Sequence, residues 1–319
     1  MHTIPDEGTW FLVLNPAAGG GRGKKLLPEI ESALNEAQIK YSLHLTTEPG
    51  EAIWAVQEAI AAGLRNIIAA GGDGTFHEVA NGILTQSIVD PSALTLALIP
   101  AGTGNDWPRT WQIPSDIKGA VRVLSEGHTC LQSAGLIQYH LNGLPCTRWF
   151  VNVAGCGFDA AVAAAANKAK ENGRSGYLTY VFQLVQTLFR YKEVASHLQI
   201  NQQSILVDLF AVLAGIGKYA GNGMMLVPEA NPASNQFSIT LVKKIPRLKV
   251  VRNLPKLFNG RFTTMREVSI LQGSKLAINA GRNLLLQADG ESLGEAPVTF
   301  EIFPARIKLV VPRPNQPPK

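Results

Sequence analysis

Apolar positions recur with two different periods along this chain, and the change from one to the other divides it. In the first third, short apolar runs alternate with amphipathic stretches. TWFLVLN reads as a buried strand, KKLLPEIESALNEA as a helix, YSLHLTT as an alternating strand and GEAIWAVQEAIAAG as a helix. RNIIAA is the next strand, TFHEVANGIL the next helix, and ALTLALIP a strand that ends in the turn PAGTGND. Repeated strand–helix units with continuous apolar strands predict a doubly wound, mostly parallel α/β sheet. Loops after the C-terminal ends of such strands are where ligands are expected. Beyond about Leu131 the chain becomes a series of short runs with strand character: SAGLIQYHL, TRWFVNVAG, SHLQINQQ, ILVDLFAVLAGIG, FSITLVKK, REVSILQG, KLAINA, NLLLQAD, VTFEIFP and RIKLVVP. Only VAAAANKAKENG, TYVFQLVQTLFRYK and a basic segment look helical there. The expected division is an α/β domain over 1–131 and an all-β, sandwich-like domain over 132–303, with the segment from about 304 to 319 a candidate to return to the first.

Composition supports two domains, since 319 residues at 46% hydrophobic exceed what one core usually organises. No apolar run approaches the roughly 18–20 residues that cross a bilayer. The start, MHTIPDEGTW, lacks the pattern of a secretory signal, and Cys130, Cys146 and Cys156 show neither disulfide nor zinc spacing. A cytoplasmic setting is the expectation. The net charge of +5 comes without a stripe of basic and aromatic residues, which argues against nucleic acid. Much of the surplus falls in Lys243–Phe262, where every charged residue is basic and Leu248, Val251, Leu254, Leu257 and Phe258 recur at near-helical spacing. Two readings of 243–262 stay open: peripheral contact with an anionic membrane, or a helix packed on its own domain with a solvated basic side.

The candidate chemistry lies in the turns. In IIAAGGDGTFHEVANGIL, Gly71, Gly72 and Gly74 surround Asp73 between a strand and a helix. Such a loop lets backbone amides touch a phosphate, and a Mg2+ between Asp73 and phosphate oxygens would reconcile the two negative charges. The alternative is a tight turn with an Asp cap. The first strand ends in NPAAGGGRGKK, which offers further amides at Gly19, Gly20 and Gly21. It is no Walker A loop, because Ala18 and Lys25 stand at the first Gly and the Ser/Thr positions. PAGTGND, Pro100–Asp106, again joins Gly, a hydroxyl and an Asn–Asp pair after an apolar strand.

Taken in order, these motifs resemble the diacylglycerol kinase catalytic-domain family, which includes bacterial lipid kinases and the sphingosine and ceramide kinases. The resemblance runs through Asn15-Pro16-x-x-Gly19, Thr46, Gly71-Gly72-Asp73-Gly74-Thr75 and Pro100-x-Gly102-Thr103-x-Asn105-Asp106. It continues with Gly155-x-Gly157-x-Asp159, Gly221-x-Gly223-Met224, Val227-Pro228-x-Ala230 and Asp289-Gly290-Glu291. It implies an ATP- and Mg2+-dependent kinase with its active site in an interdomain cleft. Asn15, Pro16, Gly19, Thr46, the Gly71–Thr75 loop, Gly102, Thr103 and Asn105 would hold nucleotide, and Asp73 the metal. Asp289 is the preferred general base and Glu291 the second candidate; a simple β-turn is the competing reading of Asp-Gly. Asp289→Asn is then expected to remove most turnover.

The chain departs from that pattern at Ser234-Asn235, where relatives carry an Asp-Gly that helps hold a second-domain Mg2+; a weak or missing metal is expected there. The leading function is transfer of the γ-phosphate of ATP to a lipid hydroxyl, diacylglycerol to phosphatidic acid. A kinase of a soluble acceptor, as in the NAD kinases, and a non-catalytic nucleotide or lipid binder are the alternatives. Location at the inner membrane face and a homodimer are both open. His77 is expected to be partly exposed and Cys156 to be a small buried residue. Lys24 and Lys25 either touch phosphate or cover the first helix; Trp107 and Trp111 either line the acceptor site or fill core.

Overall fold

The computed structural model describes residues 8–171, 177–280 and 284–313. The chain forms two compact units, divided at Gln132/Ser133 and again at Pro304/Ala305, with the C-terminal residues belonging to the first.

The first unit contains β1 (Trp10–Leu14), α1 (Ala18–Glu36), β2 (Tyr41–Leu45), α2 (Glu51–Ala61), β3 (Asn66–Gly71), α3 (Asp73–Thr85), β4 (Thr95–Pro100), α4 (Asp106–Thr110) and α5 (Ile117–Glu126). Its strands are parallel in the order β2-β1-β3-β4, and Lys308 and Leu309 pair in parallel with Thr95 and Leu96 beyond β4. Leu12, Val13, Leu14, Ile67, Ile68, Leu96 and Ile99 are buried, the signature of strands covered on both faces. Helix α5 is signalled by Asp116, whose Oδ1 accepts the Gly119 amide, and by Gly127 in the left-handed region at its end. The register of the unit brings the ends of β1, β3 and β4 side by side: Leu14 lies beside Ala70, and Gly71 beside Pro100. The glycine-rich turns therefore share one edge.

The second unit is antiparallel. It comprises most of β5 (Thr129–Leu141), β6 (Leu144–Phe150), β7 (Val153–Gly157), α6 (Phe158–Glu171), α7 (Tyr177–Arg190), β8 (Val194–Ile200), β9 (Gln203–Gly215) and β10 (Phe237–Lys243). The chain continues through α8 (Arg247–Leu257), β11 (Val268–Gly273), β12 (Lys275–Ala280), β13 (Leu285–Ala288) and β14 (Glu291–Val310), whose last residues belong to the first unit. Its strands bury one large apolar cluster that includes Phe150, Phe237 and Phe300. A second cluster forms where α6, α7 and the segment around α8 cover β9 and β10.

Two strand boundaries differ from the sequence reading. TRWFVNVAG breaks at Val151-Asn152 into β6 and β7, and VTFEIFP and RIKLVVP belong to one continuous strand, β14. Pro255 lies within the last turn of α8.

Candidate functional site

In the first unit the three turns are tied to one another by backbone and by one carboxylate. After β1, the Asn15 side chain accepts the Ala17 amide at 2.9 Å, and Gly19, Gly20 and Gly21 all take left-handed angles before regular helix resumes in α1. Thr46, buried at the end of β2, donates its amide to Leu14 at 3.0 Å. In the second turn Thr75 packs over Gly71, where a Cβ would meet its Oγ1 at 2.4 Å. The second and third turns touch through Gly72 and Gly102: a Cβ on Gly102 would stand 2.4 Å from the Gly72 Cα. The Gly71 carbonyl accepts from the amides of Ala101 and Gly102 at 2.8 and 3.0 Å. Asp73 Oδ1 accepts the amide of Asp106 at 2.8 Å, at the start of α4. Asn105 is left-handed, donates Nδ2 to the Gly102 carbonyl, and buries an Oδ1 with no hydrogen-bond partner among the described residues. Thr103 is exposed, and Gly74 and Pro16 are half-buried. Asp73 thus caps α4 rather than its own helix, whose cap position is Gly72.

His77 is 3% exposed, not partly exposed as its sequence suggests, because α3 is covered on nearly every side; Asn81 lies 3.3 Å from its Nε2. Trp107 is core, with its indole N–H donated to Gln132 at 2.9 Å, and Trp111 shares the same acceptor. Lys24 and Lys25 are exposed and Cys156 is buried.

In the second unit Asp289 and Gly290 form a two-residue hairpin turn between β13 and β14, both with left-handed angles, flanked by the pair Ala288 and Glu291. The Asp289 carboxylate accepts three backbone amides at the β6–β7 break: Val151 at 3.0 Å on Oδ2, and Asn152 and Val153 at 2.9 and 3.1 Å on Oδ1. This clamp is the reason one apolar run becomes two strands. Glu291 is half-buried, and its carboxylate makes no hydrogen bond or ion pair among the described residues. Gln287 supports the turn from beneath, accepting the Gly290 amide on Oε1 at 2.9 Å and donating Nε2 to Asp159 at 3.0 Å. Burial raises the Asp159 carboxyl to about 6 against the pull of Gln287 and of neighbouring backbone amides. Ser234 Oγ accepts the Gln236 amide within its own turn. Among the described residues no group of three or more His, Cys, Asp or Glu gathers as a metal site.

The second unit also holds an apolar cavity of about 110 Å³. Phe158, Leu184, Met224, Val250, Leu257 and Met265 are among its walls, and its only polar lining residues among those described are Asp159 and Asn253.

Residues 9–135 match the diacylglycerol kinase catalytic domain, and residues 152–311 match the YegS C-terminal NAD kinase beta sandwich-like domain. The chain belongs to the diacylglycerol kinase family. Members similar to it include diacylglycerol kinases of Staphylococcus epidermidis, 27% identical over 95% of this chain and 92% of theirs, and of Staphylococcus haemolyticus, 26% identical over 95% and 88%. The fold is shared with a diacylglycerol kinase from Bacillus anthracis at a TM-score of 0.71, 22% identical over 97% of this chain and 98% of that one. Yeast NADH kinase, solved with NADH, shares it more distantly, at a TM-score of 0.56 and 12% identity over 96% and 84%. Like other members of the diacylglycerol kinase family, the chain is a kinase whose acceptor is an alcohol. No helix among its described residues is long and apolar enough to cross a membrane.

Proposed function

We propose that this kinase transfers the γ-phosphate of ATP to a lipid hydroxyl, with diacylglycerol as acceptor and phosphatidic acid as product. The observation that carries the lipid reading is the cavity of the second unit, whose apolar lining suits an alkyl chain far better than a soluble dinucleotide. On the nucleotide side, the amides of the Asn15–Gly19, Gly71–Thr75 and Gly102–Asn105 turns would cradle phosphates, with Thr46 and Thr103 beside them. Asp73 fits a Mg2+ that arrives on the nucleotide, because such ions take one or two protein carboxylates and complete their shell with phosphate and water. When bound, the cation would neutralise charge on the phosphates.

The proton of the acceptor hydroxyl goes to a carboxylate of the Asp289-Gly290-Glu291 turn. Asp289 spends its oxygens on three amides, which favours a positioning task, whereas Glu291 is not engaged by described neighbours and is the better acceptor. Membrane delivery of the lipid is supported by α8, where Leu248 is 73% exposed and Phe258, just past it, 46%, beside exposed Arg252 and Lys256.

The test is incubation with γ-labelled ATP and Mg2+ against diacylglycerol, sphingosine, ceramide and phosphatidylglycerol in mixed micelles, with NAD as soluble acceptor, beside Glu291→Gln. Label entering diacylglycerol and lost in the variant supports the proposal; label in NAD alone overturns it in favour of a soluble acceptor.

A further inference from the structure

Helix α6 carries an asparagine where alanine prevails. Ala163, Ala164, Ala165 and Ala166 precede Asn167, and Ala169 follows soon after, all inside a helix that runs from Phe158 to Glu171. Asparagine is a poorer helix former than alanine, because its short amide competes for nearby backbone groups. Here the amide reaches out of the helix instead. Asn167 Nδ2 donates to the carbonyl of Gly290, 123 residues further along the chain, at 3.1 Å.

Gly290 is thereby held on both sides. Its N–H is donated to Gln287 Oε1 at 2.9 Å, and its carbonyl accepts from Asn167. Gln287 donates in turn to Asp159, about two turns before Asn167 on α6, so one helix supports the turn at two points. The Gly290 carbonyl belongs to the planar peptide unit that ends in the Glu291 nitrogen, so fixing that carbonyl fixes the backbone from which the Glu291 side chain departs. Such support matters at Gly290, which stands at a φ of 89° and is the residue type with the freest backbone. A Cβ on Gly290 would meet nothing within 4 Å, so the outer side of the turn is open. The Glu291 carboxylate has no hydrogen bond or ion pair among the described residues, which leaves its aim to the backbone.

We propose that Asn167 is a positioning residue for phosphoryl transfer: by holding the Gly290–Glu291 peptide it aims the Glu291 carboxylate at the acceptor hydroxyl. The proposal rests on the reading of Glu291 as proton acceptor; the contact itself does not. A proton acceptor works only within hydrogen-bond reach of its hydroxyl, so a backbone shift of about 1 Å is felt in kcat.

The test sets turnover against stability. Asn167→Ala removes the donor and supplies the better helix former, so it should melt no lower than wild type. Its kcat and its kcat/KM for diacylglycerol should nevertheless fall together by about three- to tenfold, the worth of one hydrogen bond, with KM for ATP unchanged. Asn167→Asp keeps the size of the side chain, cannot donate, and should show the same loss. A second readout needs no nucleotide. In the full chain labelled with [1-13C]glycine and [15N]glutamate, only the pairs 50–51, 290–291 and 294–295 join the two labels. The 290–291 signal, assigned by its disappearance in Glu291→Gln, should move in both Asn167 variants while the 50–51 signal stays. Wild-type kcat in Asn167→Ala, or an unmoved 290–291 signal, would overturn the assignment, as would a lower melting temperature at full turnover, the mark of a contact that serves the fold alone. Full turnover in Glu291→Gln would overturn the underlying reading of Glu291, and the labelled signal would still show whether Asn167 holds the turn.

Discussion

Asp73 Oδ1 accepts the backbone amide of Asp106 at 2.8 Å, so one carboxylate joins the GGDGT turn to the first turn of α4. The residue proposed to meet the metal is also a fastener of the loops around it, and substitutions separate these two tasks. Asp73→Asn keeps an oxygen for the Asp106 amide and removes the charge. It should melt within a few degrees of wild type yet lose at least about a hundredfold in kcat, a magnitude typical for removing a group that stabilises transferred charge. Asp73→Ala should lose both. An Asn variant with near-normal kcat would remove Asp73 from metal handling.

The close approach of Gly72 and Gly102 predicts an asymmetry. Gly102→Ala places a methyl group 2.4 Å from the Gly72 Cα, whereas Gly72→Ala meets the Gly102 Cα at 3.3 Å. The first should cost about 1–3 kcal/mol of stability and weaken nucleotide binding, as overpacking does, and the second should cost less. Denaturant midpoints and nucleotide titrations of the pair check this; equal effects would mean the loops part readily.

Glu291→Gln should lower kcat by about 10²–10⁴, the usual worth of a general base, with little change in melting temperature. Asp289→Asn should do the reverse in part. It turns an amide NH2 toward one of three backbone N–H groups, which should cost about 1–3 kcal/mol and several degrees in melting temperature. A stable Asp289→Asn protein without turnover would return Asp289 to the position of base.

Asp159 predicts a pH dependence of stability. Burial favours its neutral form in the folded chain, so the native state binds this proton more tightly than the unfolded state does. Its contribution is therefore largest below the ordinary value of 3.8 and falls away as pH rises to about 6. Asp159→Asn should match wild type at the acid end and melt higher above about pH 6. Glu51 works in the opposite sense. The Thr47 amide, then the Thr47 hydroxyl, hold it at about 2 against an ordinary 4.5, so its contribution is present above 4.5 and is lost as pH falls toward 2. A difference curve that is flat across the range would contradict the Asp159 assignment.

The exposed apolar residues at α8 predict binding to vesicles containing anionic lipid. Leu248→Glu with Phe258→Glu should abolish flotation with such vesicles and lower activity on membrane-embedded acceptor while sparing activity in detergent micelles. Unchanged flotation would leave α8 as a helix of its own unit with a solvated basic side.

Much of this fold is legible in the sequence because its strands and helices carry unmixed periods. The β1 and β3 segments are short, continuous apolar runs, and the turns after them announce themselves by glycine clusters, of which Gly19, Gly20 and Gly21 take left-handed angles. What escapes is decided by contacts distant in sequence. The break at Val151-Asn152 has no local signal, since the run is apolar on both sides and the carboxylate that makes it lies in another hairpin. The depth of His77 depends on what covers α3, and no period within α3 records that. Asn253 looks like an ordinary helix residue until α8 packs toward β9 and β10 and the residue becomes part of a cavity wall.

The clamp between Asp289 and residues 151–153 also has a kinetic meaning. Val151 and its acceptor are 138 residues apart, so the turn that carries Glu291 cannot take its final form until most of the second unit has been made and closed into one long loop. During refolding, the amides of Val151, Asn152 and Val153 should gain protection from hydrogen exchange after those of the local β8–β9 hairpin. The turn proposed to take the acceptor's proton is thus among the last things its chain acquires.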